Sequence, residues 1–200
     1  MFVSLTMIKG NTRTFAMMGV PGSGKGTQAR MLSEKTGYKV FSSGDRYREI
    51  AKENTFVGKK IKNIIDNGYL TPHWFASFLF EEVILHLPHE EGIIFEGVGR
   101  REDEAKLFHG VAEWLERPYK VFYLVVDEDE IFKRLKIRAQ EEGREDDSNA
   151  RIETRISEYK KHTFPAVEHF RSQGNVIDIN GEQSRADVHR DVMKAFEELP

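Results

Sequence analysis

What this sequence lacks already narrows the class of protein. Its 200 residues include no cysteine, which excludes disulfide bonds and thiolate metal sites and favours an intracellular protein. No stretch approaches the roughly 18 apolar residues of a membrane-spanning helix, and the N-terminal MFVSLTMIKGN lacks the basic leader and cleavage site of a signal peptide. The net charge of −3 gives no reason to expect binding to nucleic acid or a membrane. These features predict a cytoplasmic globular protein.

Short apolar runs alternate with amphipathic stretches along the chain. Residues 92–96 and 120–126 are continuous apolar runs, which are typical of parallel strands covered on both faces. Further strands are predicted at 14–19, 38–41 and 176–179, and helices at 27–35, 45–52, 57–66, 72–86, 128–140, 150–170 and 186–199. This alternation predicts a single α/β domain over 1–200, with three layers around a parallel sheet.

A glycine-rich turn follows the first predicted strand and precedes the first predicted helix. Its sequence, GVPGSGKGT from Gly19 to Thr27, fits the frame G-x-x-x-x-G-K, with the threonine one place later than usual. Glycines let backbone N–H groups point at phosphate oxygens, the helix start adds a positive dipole end, and lysine supplies a mobile charge. The spacing excludes the dinucleotide pattern G-x-G-x-x-G. We therefore predict a P-loop NTPase fold in which ATP is bound by Gly22, Ser23, Gly24, Lys25, Gly26 and Thr27.

Arginines recur at helical spacing in the second half of the chain. Arg134 and Arg138 lie four residues apart and share one helix face, as do Arg151 and Arg155, with Arg144 in the polar connector between them. Phosphoryl transfer requires neutralisation of charge spread over several phosphates, and a planar guanidinium group can bind two phosphate oxygens at once. These arginines are candidate phosphate ligands; the alternative is that they are solvated surface residues.

A series of segments, in order and at similar spacing, resembles motifs of the adenylate kinase family. The phosphate loop ends in GKGTQ as that family's does, and later segments are similar to its STGD-x-x-R, D-x-G-x-L-V and DGFPR motifs and to the arginines that flank its lid. These segments are 41–48 (FSSGDRYR), 66–71 (DNGYLT), 96–100 (EGVGR), 131–138, 144–147 and 155–159 (RISEY). The resemblance extends from about Thr14 to about Phe196 and implies a nucleoside monophosphate kinase.

The resemblance implies a core with two mobile lobes. The core would comprise 1–42, 72–139 and 148–200, the monophosphate-binding lobe 43–71, and a short lid 140–147 without the zinc-binding insertion of some relatives. Closure of both lobes would exclude water, so that the γ-phosphate of ATP reaches the acceptor nucleotide. A monomer that binds only small nucleotides is expected.

The resemblance also implies a role for individual residues. The catalytic set would be Lys25, Arg100, Arg138, Arg144 and Arg155. Arg134 and the backbone of Gln183 would lie near the ATP base, and Arg138 would also contact ATP. The monophosphate would be bound by Ser43, Arg48, Tyr69, Leu70, Thr71, Gly97, Arg100, Glu104, Arg144 and Arg155. The implied cofactor is Mg²⁺, held by Thr27 and, through water, by Glu96, with no zinc site.

Three departures from the family pattern bear on activity and substrate. Glu96 replaces the family's aspartate, and Val98 with Gly99 replaces its Phe-Pro, which makes the turn before Arg100 less rigid. Glu104 replaces a glutamine that reads the acceptor base. An ionised carboxylate only accepts hydrogen bonds, so it suits the two donors of guanine better than the donor and acceptor of adenine. Taken alone, Glu104 favours GMP, whereas the family-wide match favours AMP, and we expect AMP to be the best acceptor.

Two functions of other classes share single features with this sequence. A P-loop GTPase switch would need a base-reading N-K-x-D motif, and the chain contains none. A nucleotide-binding protein that has lost catalysis is supported only by the departures at Glu96 and at Val98 and Gly99. A kinase for GMP, UMP or CMP remains the alternative acceptor specificity.

Overall fold

The computed structural model describes residues 11–142 and 149–199, with the side chains of all of these except 138–142, 149 and 150. Its centre is a parallel sheet with the strand order β2-β3-β1-β4-β5. The strands are β1 (Thr14–Gly19), β2 (Lys39–Ser42), β3 (Ile93–Glu96), β4 (Tyr119–Val125) and β5 (Val176–Asn180). Each lies within two residues of its predicted position.

Helices connect the strands. They are α1 (Lys25–Thr36), α2 (Ser43–Lys52), α3 (Phe56–Asp66), α4 (His73–Leu85), α5 (Glu102–Trp114), α6 (Glu128–Glu142), α7 (Asn149–Glu158), α8 (Phe164–Ser172) and α9 (Arg185–Glu197). Helix α1 ends at Gly37, whose left-handed backbone (φ 74°) lets its N–H group bond back to the carbonyl of Ser33. None of the described helices combines the length and apolar content needed to cross a membrane.

Successive side chains of β1 point to opposite faces of the sheet, and an apolar layer covers each face. Phe15 and Met17 face helices α1 and α9, whereas Ala16 and Met18 face helices α4, α5 and α8. Both layers are fully buried, and aromatic rings such as Phe108 fill the second one. Burying one such ring contributes roughly 1.5–3 kcal/mol relative to exposure. The predicted α/β fold with three layers around a parallel sheet is confirmed.

Helix α5 was not predicted from the sequence. It connects β3 to β4 and buries Ala105, Phe108 and Ala112 against the sheet. Its first turn holds the acidic residues Glu102, Asp103 and Glu104, which complement the positive end of the helix dipole. Acidic residues followed by apolar ones at spacings of three and four are the signal that could have identified this helix.

The predicted long helix over 150–170 is interrupted by one turn of π-helix at Tyr159–Thr163. The N–H group of Phe164 donates to the carbonyl of Tyr159, five residues earlier. Pro165 follows in the first turn of α8, where it cannot donate a backbone hydrogen bond. A wider turn before a proline avoids the clash that a regular α-helix would suffer there. Helices α7 and α8 therefore continue one another through a local widening.

Helices α2 and α3 pack on α4 through a small apolar cluster of their own. It contains Tyr47, Ile50, Ile61 and Leu79. These helices fall within the segment 43–71, for which a separate lobe was predicted. The division of the chain into core, lobe and lid stays a prediction, and most of the predicted lid, 143–147, lies outside the described residues.

We expect stability to fall below about pH 6.5, partly through His189 on α9. Both of its ring nitrogens are buried and have no hydrogen-bond partner within the described chain. Burial lowers the pKa of His189, and the nearby Lys35 acts in the same direction. As the pH falls below the unfolded-state pKa of about 6.5, only the unfolded chain takes up the proton, so the free energy of unfolding decreases by up to about 1.4 kcal/mol per pH unit until the lower folded-state pKa is reached.

Urea unfolding at pH 7.5 and 5.5 tests this expectation. His189→Phe should lose less stability between the two pH values than the unmodified protein, whereas the exposed control His89→Phe should lose as much. An equal loss in all three proteins would show that His189 does not contribute.

Candidate active site

The carboxyl ends of β1 and β3 form the floor of the site. From β1 the chain leads to β2 and β3 on one side and later to β4 and β5 on the other, so β1 lies where the strand order reverses. Ligands bind at such positions in open parallel sheets, because adjacent loops diverge there and leave a crevice. Glu96, the last residue of β3, is paired in register with Met17 on β1 and with Ser42 on β2. The phosphate loop begins at the end of β1.

The phosphate loop has the backbone that its glycines predict. Gly22 (φ 88°) and Gly24 (φ 93°) both occupy the left-handed region, and a Cβ atom at Gly22 would lie 2.9 Å from the Leu135 side chain. Helix α1 starts directly after Gly24, at Lys25, two residues earlier than predicted, and no side chain caps it. In contrast, Ser42 caps α2 and Ser184 caps α9. The start of α1 therefore suits an anion, which its positive dipole end attracts.

Lys25 and Glu96 lie opposite one another at the mouth of this loop. The Lys25 Nζ atom is 3.9 Å from Glu96 Oε1 and 3.4 Å from the carbonyl of Val20, and the Ser42 hydroxyl donates to Glu96 Oε2 at 2.8 Å. Burial alone would raise the pKa of Glu96, but the charges of Lys25 and Arg100, together with this hydroxyl, outweigh it and lower the pKa. The site therefore holds an ionised carboxylate beside the lysine at neutral pH.

Two cavities open on either side of Lys25. The larger, of about 750 Å³, is lined by the phosphate loop, Glu96 and the start of α9. The smaller, of about 350 Å³, is lined by the end of α3, the segment after it and the start of α5. Among the residues whose side chains are described, the cationic ones that line both cavities are Lys25, Arg48, Arg100 and Arg155. They come from α1, α2, the turn after β3, and α7, so the fold brings together charges that are distant in sequence.

The smaller cavity contains most of the residues predicted to bind the monophosphate. Its wall includes Arg48, Tyr69, Leu70, Thr71, Gly97, Arg100, Glu104 and Arg155. Ser43 lies behind this wall and is buried; its hydroxyl donates to the carbonyl of Gly97 at 2.7 Å. The backbone of Gly97 is left-handed (φ 77°), which favours glycine, and a Cβ atom there would lie 2.7 Å from the Ser43 hydroxyl oxygen. Ser43 therefore supports the wall.

The larger cavity is lined by all the residues predicted to bind ATP except Arg138. Thr27, Arg134 and Gln183 line it together with Gly22, Ser23, Gly24, Lys25 and Gly26. The Arg134 guanidinium donates to the carbonyl of Gly181 and to Glu130 Oε1, both at 2.8 Å. Gln183 donates to Asp191 Oδ2 at 2.6 Å. Arg144 and the side chain of Arg138 lie outside the described residues, so their predicted roles stay predictions.

Three residues of this region were absent from the predicted site. Ser42 holds the Glu96 carboxylate, Tyr47 lines the smaller cavity, and the Oε2 atom of Glu158 accepts the N–H group of Leu70 at 3.3 Å. Burial raises the pKa of the Tyr47 hydroxyl, which remains a neutral donor. Ser42 and Tyr47 lie within the segment FSSGDRYR, and Glu158 within RISEY, so the motifs included them without indicating their contacts.

A phosphate loop at the switch point of a parallel sheet, with a second cavity across shared cations, defines a P-loop nucleotide-binding protein. The family model described as adenylate kinase matches residues 17–175. The chain is 33% identical to an adenylate kinase of Bacteroides fragilis over 92% of this chain and 97% of the relative. It is 30% identical to one of Cyanothece sp. over 92% and 94%, and 31% identical to one of Leptospira biflexa over 90% and 97%. The chain belongs to the adenylate kinase family.

Proposed function

We propose that this protein transfers the γ-phosphate of ATP to AMP, reversibly, to give two molecules of ADP. The observation that carries the proposal is the row of Lys25, Arg48, Arg100 and Arg155 between the two cavities. A phosphoryl group in transfer spreads negative charge over its oxygens and over both nucleotides, and it is stabilised mainly by fixed positive charge and by positioning. ATP occupies the larger cavity and AMP the smaller one.

The charged residues of the site have separate roles in this reaction. The N–H groups at the start of α1 and Lys25 hold the phosphates of ATP, with Arg134 and the backbone of Gln183 beside its base. Arg48 and Arg100 hold the phosphate of AMP, one oxygen of which attacks the γ-phosphorus. The new phosphorus–oxygen bond forms as the bond to the β-phosphate oxygen breaks, and ADP is the leaving group. Arg155, with Arg138 and Arg144, compensates charge in the transition state.

The residues at the phosphate loop suit Mg²⁺, which prefers hard oxygen ligands and retains several waters. The ionised Glu96 carboxylate and the Thr27 hydroxyl both line the larger cavity and offer such oxygens. We infer that Thr27 would hold Mg²⁺ directly and that Glu96 would hold it through water. The bound ion would neutralise charge on the ATP phosphates. Lys25 and Ser42 would keep Glu96 ionised and oriented.

The proposal extends to lobe movement, assembly and location. Closure of the lobe 43–71 and of a lid at 140–147 would exclude water from the row of cations, so that transfer to AMP prevails over hydrolysis. We propose that the protein acts as a monomer. A cytoplasmic location goes with the cysteine-free composition.

A panel of acceptors tests this function. With ATP and Mg²⁺ at pH 7, a coupled assay for ADP should show turnover that depends on an added nucleoside monophosphate, with AMP the best among AMP, GMP, CMP and UMP. ATP alone should be hydrolysed far more slowly, because water is excluded. A kcat/KM for GMP or a pyrimidine nucleotide about tenfold above that for AMP would replace AMP as the substrate. Nucleotide binding without turnover would leave a non-catalytic protein.

A further inference from the structure

Glu104 contributes both to the start of helix α5 and to the wall of the smaller cavity. It lies in the first turn of α5, and the N–H groups of Arg100 and Arg101 donate to its Oε2 atom at 2.8 and 3.4 Å. The residue is only 6% exposed and forms part of the cavity wall with Tyr47, Thr71 and Gly97. One oxygen of the carboxyl group is therefore fixed as an acceptor for the helix start. Oε1 has no hydrogen-bond partner within the described chain.

The protonation state of Oε1 determines which base Glu104 can hydrogen-bond. With Oε2 engaged, an ionised Oε1 offers only lone pairs, whereas a protonated Oε1 offers an O–H donor. Adenine presents an acceptor, N1, beside its amino donor, and guanine presents two adjacent donors. A neutral carboxylic acid matches adenine as a glutamine side chain does: Oε1–H donates to N1, and Oε2, whose bond from Arg101 is long at 3.4 Å, also accepts from the amino group. The ionised form suits guanine.

Resting on the proposed function, we propose that Glu104 reads the acceptor base as a neutral carboxylic acid. AMP binding then takes up one proton from the buffer onto Oε1, and the preference for adenine over guanine weakens as the pH rises. Glu104 is in this way a specificity-determining residue whose choice of base depends on pH.

The surroundings of Glu104 shift its protonation equilibrium toward the neutral form. Burial raises its pKa and outweighs the opposing effects of the Arg100 N–H group, the Arg100 charge and the Arg101 N–H group and charge. Other titratable or charged groups around the same cavity, or against Arg101, are Lys25, Tyr47, Arg48, Asp66, Tyr69, Arg155, Glu158, Tyr159 and His162. AMP would shift the balance further toward the neutral form, because its phosphate would compensate the arginines and its base would displace water from the carboxyl group.

The test compares the unmodified protein with Glu104→Gln between pH 5.5 and 8.5. Glutamine can still accept the two backbone N–H groups, so α5 keeps its first turn, which thermal unfolding can verify. The ratio of kcat/KM for AMP, Glu104→Gln over unmodified, should be near one at low pH and rise about tenfold per pH unit once Glu104 ionises in the free protein. The AMP phosphate, with a second pKa of about 6, titrates in both assays and cancels in the ratio.

A binding measurement needs no turnover. Calorimetric titration with AMP, in two buffers of different ionisation enthalpy, should show up to one more proton taken up by the unmodified protein than by Glu104→Gln. In the unmodified protein alone, the ratio of kcat/KM for GMP to that for AMP should rise with pH.

The outcomes separate this inference from the proposed function. Equal proton uptake by both proteins at every pH from 5.5 to 8.5, or a kcat/KM ratio that does not change over that range, overturns the role of Glu104 even if AMP is phosphorylated. If AMP is not phosphorylated but the unmodified protein alone takes up the proton, the proposed function fails, and recognition of adenine by protonated Glu104 is still supported.

Discussion

Replacing Lys25 with methionine is expected to abolish phosphoryl transfer while the protein remains folded. Lys25 is the cation of the phosphate loop, and it lies between the two cavities with Nζ 3.9 Å from Glu96. Methionine retains an unbranched apolar stem of similar length but has no charge to follow the moving phosphate. Loss of one electrostatic contact to a transition state typically costs about 100- to 1,000-fold in kcat. Steady-state assays of ADP formation measure this loss.

The matched control is Lys35→Met, at the other end of the same helix, where the side chain is exposed. It should retain nearly full activity. Circular dichroism and thermal unfolding of both variants check the fold, since removing Lys25 also leaves Glu96 with one fewer counter-charge. If Lys25→Met kept more than about a tenth of the kcat, a deficit under about 1.4 kcal/mol, the lysine would not be a phosphate clamp.

Arg155→Ala is expected to lower kcat by about 100-fold and to change KM for either nucleotide far less. Arg155 lies on α7, lines both cavities, and packs its stem beside Gly68 at the end of the predicted monophosphate lobe. A guanidinium at that junction acts mainly when charge spreads between the nucleotides, so its loss affects the transition state more than either ground-state complex. Separate titrations of ATP and AMP in the coupled assay give kcat and both KM values.

Arg190→Ala provides the comparison for a helical arginine on the surface. Arg190 is exposed on α9 and pairs with Asp187, and it lines neither cavity. Kinetic constants of Arg155→Ala that match those of Arg190→Ala would support the alternative of a solvated arginine. A rise in KM for AMP without a fall in kcat would assign Arg155 to substrate binding alone.

The strands were predictable because a parallel sheet covered on both faces leaves continuous apolar runs, such as the one before Gly19. Helix α5 was missed although its acidic first turn and the spacing of Ala105 and Phe108 indicate a helix. Its start carries no serine or threonine that would signal a capped helix: the preceding residue is Arg101, and the cap comes instead from Glu104, which accepts its N–H group.

The phosphate loop was predictable as a motif because its chemistry depends on neighbouring residues. The second cavity was not, because Arg48, Arg100 and Arg155 meet only through the tertiary fold, and helical spacing gives no direction in space. The family resemblance identified these arginines as phosphate ligands, a role that stays a prediction. Glu104 both caps helix α5 and lines the smaller cavity. This combination depends on the backbone geometry around Arg100 and Arg101, which a sequence pattern does not indicate.

The turn of π-helix at Tyr159–Thr163 sets the rotation of α8 relative to α7 about their common axis, and the two helices have different roles. One extra residue rotates everything after it by about 100° about the axis, since each residue of an α-helix turns by that amount. Before the turn, Arg155 and Glu158 face the smaller cavity; after it, Ala166 and Phe170 face the core. Substitution of the exposed Lys161 would leave that rotation unchanged, whereas deletion of one residue would turn one set away from its partners. The spacing from Arg155 to Phe170 is therefore constrained more tightly than the residues within the turn.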